Sequence, residues 1–344
     1  MKILITGGAG FIGSNLTYMV VEKFPEWDIT VLDALTYAGN FKNIAPLVDE
    51  KQISFSKTDL GDGEAVEKAF QEADGFDVVF HLAAESHVDR SLYAGSTFVR
   101  TNVLGTQHLI NQALSESYKR QCKRFIHVST DEVYGSMAED ERADESWQLK
   151  PSSPYSASKA ASDLMVLAAH QSLGLPAVVT RCTNNYGAYQ FPEKFIPLFT
   201  IRAMEEQKLP LYGDGMQFRS WIHVNDHCEA LIKLSQIETV GKVFNIGGPL
   251  ESELPNIKVA KQMLSILGKP ESLIEHVKDR PAHDRKYAVH FDAITQATGW
   301  EPKVQFEEGL AGTIKWYQDN DTWWKEITSG DYKDFYQQHY GNTY

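Results

Sequence analysis

The chain of 344 residues carries 33 Lys and Arg against 46 Asp and Glu, a net charge of −13, and 42% of its residues are hydrophobic. That length holds two domains, or one large α/β domain with a second lobe, and it buries a full core without disulfide or metal staples. The acidic balance argues against a nucleic-acid surface, and no apolar run approaches the roughly 18 residues of a membrane span. Cys122, Cys182 and Cys228 are odd in number and form no CxxC pair, the pattern of reduced thiols, so a cytoplasmic protein is expected. The N-terminus runs straight into a strand pattern and leaves no room for a signal peptide.

In chain order, β-type runs at 2–6, 28–33, 52–56, 77–82, 124–129 and 177–181 alternate with helical patterns at 12–24, 63–72, 95–118 and 156–173. Strands separated by segments of this length are βαβ units, which implies a parallel sheet covered on both faces. From about residue 185, Pro192, Pro197, Pro210, Pro249, Pro255 and Pro281 cut the chain into shorter pieces. Helices are expected there at 194–206, 225–236, 257–267 and 306–319, and a strand at 243–246. The fold class is therefore α/β: a doubly wound parallel sheet of the Rossmann type over 1–185, and a smaller α/β substrate-binding lobe over 186–344. From that lobe 219–248 is expected to return to the main sheet. The aromatic tail (Trp316, Trp323, Trp324, Tyr332, Tyr336, Tyr340) is expected to pack down.

Gly7, Gly10 and Gly13 follow the first strand and open the first helix. Glycines there let the backbone come close to a pyrophosphate, whose charge the free N–H groups and the helix dipole favour. Such glycines also mark ordinary turns, but Asp33 ends the second strand about 20 residues beyond Gly13. A carboxylate at that place accepts ribose hydroxyls and repels a 2′-phosphate, so the pattern points to NAD rather than NADP. Asp59, after the third strand, is a candidate acceptor for the adenine amino group.

Ser129-Thr130-Asp131-Glu132 follows the fifth strand, and Tyr155 and Lys159 open the next helix one turn apart on one face. An ammonium beside a phenol is expected to lower its pKa from about 10 toward neutrality. The phenolate could then take a hydroxyl proton while hydride leaves the same carbon. Adjacent acids usually mean a solvated loop, but at the carboxyl end of a strand in a doubly wound sheet they fall where ligands bind. Two carboxylates there can divide the work of acid and base, which suggests elimination of water as well as oxidation.

The runs TGGAGFIGSN (6–15), HLAAESHVDRS (81–91), STDEVYG (129–135), SSPYSASKAASD (152–163), TNNYG (183–187), FPEKFIPL (191–198), FNIGG (244–248) and DRPAHDRKYA (279–288) occur in order along nearly the whole chain. With them the chain resembles the extended short-chain dehydrogenase/reductases, and among these the dTDP-glucose 4,6-dehydratases. Ala188 stands where that family usually has proline. The resemblance implies an NAD-dependent hydro-lyase acting in deoxysugar biosynthesis, and a homodimer. It makes Tyr155, assisted by Lys159 and Thr130, the acceptor of the C4 hydroxyl proton. Glu132 becomes the base at C5 and Asp131 the acid at the departing C6 hydroxyl. By the same resemblance the cofactor is lined by Phe11, Ile12, Asp33, Ala34, Leu35, Thr36, Asp59 and Leu60. Leu82, Ala83, Ala84, Thr101, Tyr155, Lys159 and Asn185 complete that wall. The sugar nucleotide faces Ser86, Thr130, Asn184, Glu193, Lys194, Pro210, Leu211 and Tyr212, together with Arg219, Asn245, Arg280, His283 and Tyr340.

Cation and fork geometry suit Arg219 and Arg280 to a diphosphate. No metal is expected, because His223, His227 and His283 lack ligand spacing with carboxylates. Three alternatives stay open on the residues: an epimerase or decarboxylase on the same scaffold, a dehydratase of UDP- or CDP-glucose, and a non-catalytic NAD-binding redox sensor. The Asp131-Glu132 pair speaks for a dehydratase, and an intact Tyr155 and Lys159 speak against a sensor.

Overall fold

Short apolar runs with no polar face fold as strands buried on both sides. The computed structural model describes residues 1–279 and 283–329. β1 (Lys2–Thr6), β2 (Asp28–Asp33), β3 (Ser54–Lys57), β4 (Val78–His81), β5 (Arg124–Thr130) and β6 (Ala177–Cys182) are mutually parallel. β7 (Asn184–Tyr186), β8 (Leu209–Tyr212) and β9 (Phe218–His223) leave this sheet, and β10 (Lys242–Ile246) returns to it beside β6. The resulting order is β10-β6-β5-β4-β1-β2-β3. Alternation splits each strand between two cores. Ile3, Ile5, Val78, Phe80, Ile126 and Val178 pack on one face, and Leu4, Val79, Phe125 and Val179 on the other. Each such side chain contributes about 1.5–3 kcal/mol on burial.

The second lobe gathers around β9. β11 (Glu253–Pro255) pairs antiparallel and β13 (Lys286–Tyr287) parallel with its first half, while β7 pairs with its second. β12 (Ile274–Val277) pairs with β8. Within 219–248, then, only β10 makes the expected return to the main sheet, and β9 belongs to the smaller one. The reason is visible in its side chains: Trp221 fills the second-lobe core with Phe199, Leu211, Val259 and Leu310, while its neighbour Ile222 faces the main core. The helix Val224–Gln236 that follows packs against the first helix, Phe11–Lys23.

One helix departs from its pattern. The stretch expected as 95–118 is Gly95–Phe98, then a wider π turn, Val99–Leu104, then Gly105–Ala113. On the π turn Asn102 is buried and satisfies both backbone groups of Glu85, at 2.8 and 3.0 Å, and donates to Ser158 at 2.8 Å. In the tail, Trp324 is buried against Ile201 and Tyr317, whereas Tyr332, Tyr336 and Tyr340 lie outside the described residues. No helix among the described residues is long and apolar enough to cross a membrane.

Candidate active site

All strands of the main sheet run the same way, so the turns after β1, β2, β4 and β5 emerge on one edge. Gly7 sits at φ +71°, and a Cβ on it would lie 2.7 Å from the Ala83 nitrogen. A Cβ on Gly13 would lie 2.1 Å from the Gly7 oxygen. Only bare backbone closes this turn, and it leaves a cradle at the N-terminus of the helix Phe11–Lys23, with Gly10 as its N-cap and Phe11 and Ile12 in the first turn. Thr6 anchors the other wall: its carbonyl accepts the Leu82 N–H at 3.3 Å and its hydroxyl the Ala83 N–H at 3.2 Å. Ala84 continues that wall.

Asp33 stands at the end of β2 with one oxygen accepting the Ala9 N–H at 3.0 Å and the other the Leu35 N–H at 2.8 Å. Burial raises its pKa, and these two donors oppose the rise. The bond to Leu35 holds that residue at φ +52°, so Ala34 to Thr36 curl back over the carboxylate. Spare lone pairs on a fixed, buried carboxylate suit a pair of ribose hydroxyls. The glycine cradle and Asp33 together therefore fit a dinucleotide.

Other expected cofactor contacts sit differently. Asp59 pairs with Arg100 at 2.8 Å and caps the Gly61 N–H at 2.8 Å. Leu60 is buried in the core, so only its backbone remains for a ligand. Asn185 is turned inward, donating to the Thr183 carbonyl at 3.0 Å and meeting His227 Nδ1 at 2.9 Å. Thr101 lies half-buried on the π turn.

Where β5 ends, Asp131–Tyr134 forms a 3₁₀ turn whose N-cap, Thr130, accepts the Glu132 N–H at 3.3 Å. The Thr130 hydroxyl donates to Asp131 Oδ1 at 3.3 Å and is also bonded to Tyr155. Tyr155 opens the helix Pro154–Leu173, which a Ser153–Ser156 capping box and Pro154 start and Gly174 ends. Asp131 is 2% exposed; burial, with Glu132 beside it, pushes its carboxyl up to about 8, although Arg219 and Thr130 pull the other way. Asp131 thus holds its proton at neutral pH.

Tyr155 departs from the sequence expectation. Lys159 is buried and donates to the Val128 carbonyl at 2.8 Å. Burial lowers Lys159 to about 8, against the opposing charge of Asp163. Tyr155 itself is raised well above its ordinary value by burial and by the Glu132 charge, so the phenol is protonated here.

Glu132 opens onto a cleft between the lobes lined by Ser86, Asn184, Glu193, Lys194, Pro210, Leu211, Tyr212, Arg219 and His283. Each of these was expected at the substrate. Arg219 is buried, donates to the carbonyls of Phe218 and Asp284 at 2.7 and 3.1 Å, and lies 4.5 Å from the Tyr287 ring. Lys194 Nζ donates to the Ser86 carbonyl at 3.1 Å, and His283 Nδ1 meets Asp279 at 2.6 Å. Burial raises Glu193 to about 7, and Lys194, Arg90 and Tyr37 oppose the rise.

Asn245 was also expected at the substrate. It is fully buried on β10, accepts from the Tyr134 hydroxyl at 2.8 Å and donates to the Ala143 carbonyl at 3.2 Å, so it does not reach the cleft. Arg280 and Tyr340 lie outside the described residues. His87, Trp221, Asn256 and Tyr287 also line the cleft and were not expected. His87 and Tyr287 lie within the matching runs 81–91 and 279–288, which was the available signal. Among the described residues no group of three or more His, Cys, Asp or Glu is placed to hold a metal.

Comparison with known proteins agrees with this geometry. The family model described as GDP-mannose 4,6 dehydratase matches residues 4–313. A dTDP-glucose 4,6-dehydratase of Streptomyces niveus is 44% identical over 335 residues, covering 96% of this chain and 97% of the relative. The crystal structure of a dTDP-glucose 4,6-dehydratase from Streptomyces venezuelae with NAD and TYD bound superposes with a TM-score of 0.89 at 42% identity, covering 95% of this chain and all of the other (100%). The Bacillus anthracis dTDP-glucose 4,6-dehydratase, in complex with NAD, gives 0.87 at 43% identity, covering 95% of this chain and 99% of that one. The cradle, the acid–base turn and the two-lobed cleft, with relatives this close over nearly the full length, place the chain in the dTDP-glucose 4,6-dehydratase family.

Proposed function

We propose that the protein converts dTDP-glucose to dTDP-4-keto-6-deoxyglucose with loss of water, holding NAD in the glycine cradle with Asp33 on its ribose. The observation that carries this reading is the pair on the turn after β5: Asp131 buried and protonated at neutral pH, beside Glu132 at the wall of the cleft. When bound, NAD⁺ accepts hydride from C4 and returns it at C6, and its positive ring favours the Tyr155 phenolate. The Tyr155 phenol, hydrogen-bonded to Thr130, first gives up its own proton to solvent, with the Lys159 ammonium one helical turn away favouring that loss, and the phenolate then takes the C4 hydroxyl proton. The C4 ketone acidifies C5–H, which Glu132 removes. Asp131 gives its proton to the C6 oxygen, which leaves as water. Glu132 then returns a proton to C5.

Arg219 and Lys194 supply positive charge for a diphosphate in a chain of net charge −13. Leu104 and Leu164 are 43% and 57% exposed, on the two neighbouring helical segments Val99–Leu104 and Pro154–Leu173. That exposed apolar surface supports a homodimer through these helices. The free thiols Cys122, Cys182 and Cys228 support a cytoplasmic location.

The test offers the purified protein dTDP-, UDP-, CDP- and GDP-glucose and follows keto-sugar absorbance in alkali and the mass loss of one water. dTDP-glucose is expected to react fastest. Glu132→Gln should still reduce bound NAD⁺ in a single turnover but exchange the C5 proton with solvent deuterium on the order of 10²-fold more slowly. Exchange at the wild-type rate would return the reading to an epimerase.

A further inference from the structure

The reaction just described needs two pieces of chain at a fixed separation: the turn Asp131–Tyr134, and the first turns of the helix Pro154–Leu173. One turn of helix beyond Lys159 stands Asp163, fully buried, and Arg181 of β6 is buried against it. Arg181 Nε donates to Asp163 Oδ2 at 2.9 Å, and its Nη1 donates to the Tyr134 hydroxyl at 3.0 Å. Tyr134 closes the catalytic turn, and its hydroxyl donates to Asn245 Oδ1 on β10 at 2.8 Å. Four elements are thereby joined by three consecutive polar contacts.

We propose that Asp163, Arg181 and Tyr134 are positioning residues, a buried tie that sets the catalytic helix and the acid–base turn at one spacing across β6. The proposal rests on the dehydratase reading for what the spacing is used for. Stability alone does not account for the tie, because a buried ion pair is often replaced by apolar residues of like volume with no loss. What the apolar pair lacks is direction. The planar guanidinium fork fixes the angle between its two partners, which neither lysine nor a hydrocarbon can do.

Asp163 also acts on Lys159. The groups acting on Lys159 are Asp163 on its own helix, Cys182 on β6, His127 on β5 and His81 on β4. Burial keeps both histidines neutral, His127 at about 4, and lifts Cys182 to about 12, so that it stays a thiol. Asp163 stays ionised: burial raises it, but the His127 bond and the Arg181 charge outweigh that. It is therefore the anion that helps Lys159 keep its proton.

Three variants separate positioning from folding. Tyr134→Phe cuts the tie on the turn side alone. It should slow C5 exchange and water loss on the order of 10–100-fold while hydride transfer from C4 stays within about twofold of wild type. The double variant Asp163→Leu/Arg181→Met removes both charges of the ion pair together, so neither is left alone at the tie. It should fold with a melting temperature near wild type, bind dTDP-glucose with unchanged Kd, and slow both steps by on the order of tenfold or more. Asp163→Asn should move the NMR titration midpoint of ¹³C-labelled Lys159 about one pH unit lower. That titration needs no turnover, so it decides the matter even if the wild type forms no keto sugar, an outcome that would overturn the functional reading alone. An unmoved midpoint, a double variant with wild-type step rates, or a Tyr134→Phe that slows both steps equally overturns the proposal.

Discussion

Asp131 shows what the environment of a single carboxyl costs and what it supplies. Its proton is held up to about 8 in the folded protein, whereas an unfolded chain releases it near 4. The folded state therefore binds this proton more tightly. The associated stability is complete below about pH 4 and is lost progressively as pH rises to about 8. Asp131→Asn, which has no proton to lose, should melt above wild type at pH 8, by on the order of a few kcal/mol, with the gap closing toward pH 4. The same variant should expel water slowly, and in the wild type the elimination step should fall as pH rises through about 8. A melting temperature unchanged at pH 8 would contradict the assignment of Asp131 as the proton donor. At this scale much was legible, because residue type and spacing identify Asp33, Asp131, Glu132, Tyr155 and Lys159. What spacing cannot carry is the depth of each group. Depth puts Tyr155 above its ordinary value rather than below, commits Lys159 to the Val128 carbonyl, and turns Asn185 and Asn245 inward.

The helix Pro154–Leu173 illustrates the next scale, since its first turn holds Tyr155, the proposed proton acceptor. Ser153 accepts the Ser156 N–H at 3.1 Å, and Ser156 accepts the Ser153 N–H at 3.1 Å. Ser153→Ala should cost about 1 kcal/mol of stability. Because Tyr155 lies inside the frayed turn, the loss should appear in kcat for C4 oxidation with KM for the sugar nucleotide nearly unchanged. Calorimetry and single-turnover kinetics together check this. Strands and helices of the first half are readable because their apolar runs and periodicities are local. The π turn at Val99–Leu104 is not, because its cause is the reach of Asn102 to Glu85 and Ser158, partners far apart in sequence. β9 escapes for a like reason: its partners Asn184–Tyr186, Glu253–Pro255 and Lys286–Tyr287 come from three separate stretches.

At the scale of the whole molecule, the parallel sheet supplies the cradle and the second lobe closes the cleft over Glu132. Outside them, Leu104 and Leu164 leave apolar area on the helical side of the sheet. Leu104→Asp with Leu164→Asp should convert the proposed dimer to monomers in light scattering while leaving the fold's circular dichroism intact. A mass unchanged from a dimeric wild type would move the interface elsewhere. The sheet order also dictates a timetable. β6 ends at Cys182, but its outer neighbour, β10, begins only at Lys242. At about 5–20 residues per second, the roughly 60 intervening residues take several seconds to leave the ribosome. Throughout that interval the nascent chain presents the bare edge of β6 from Val178 to Cys182, and any product truncated before residue 246 keeps that edge permanently, as a template for aggregation.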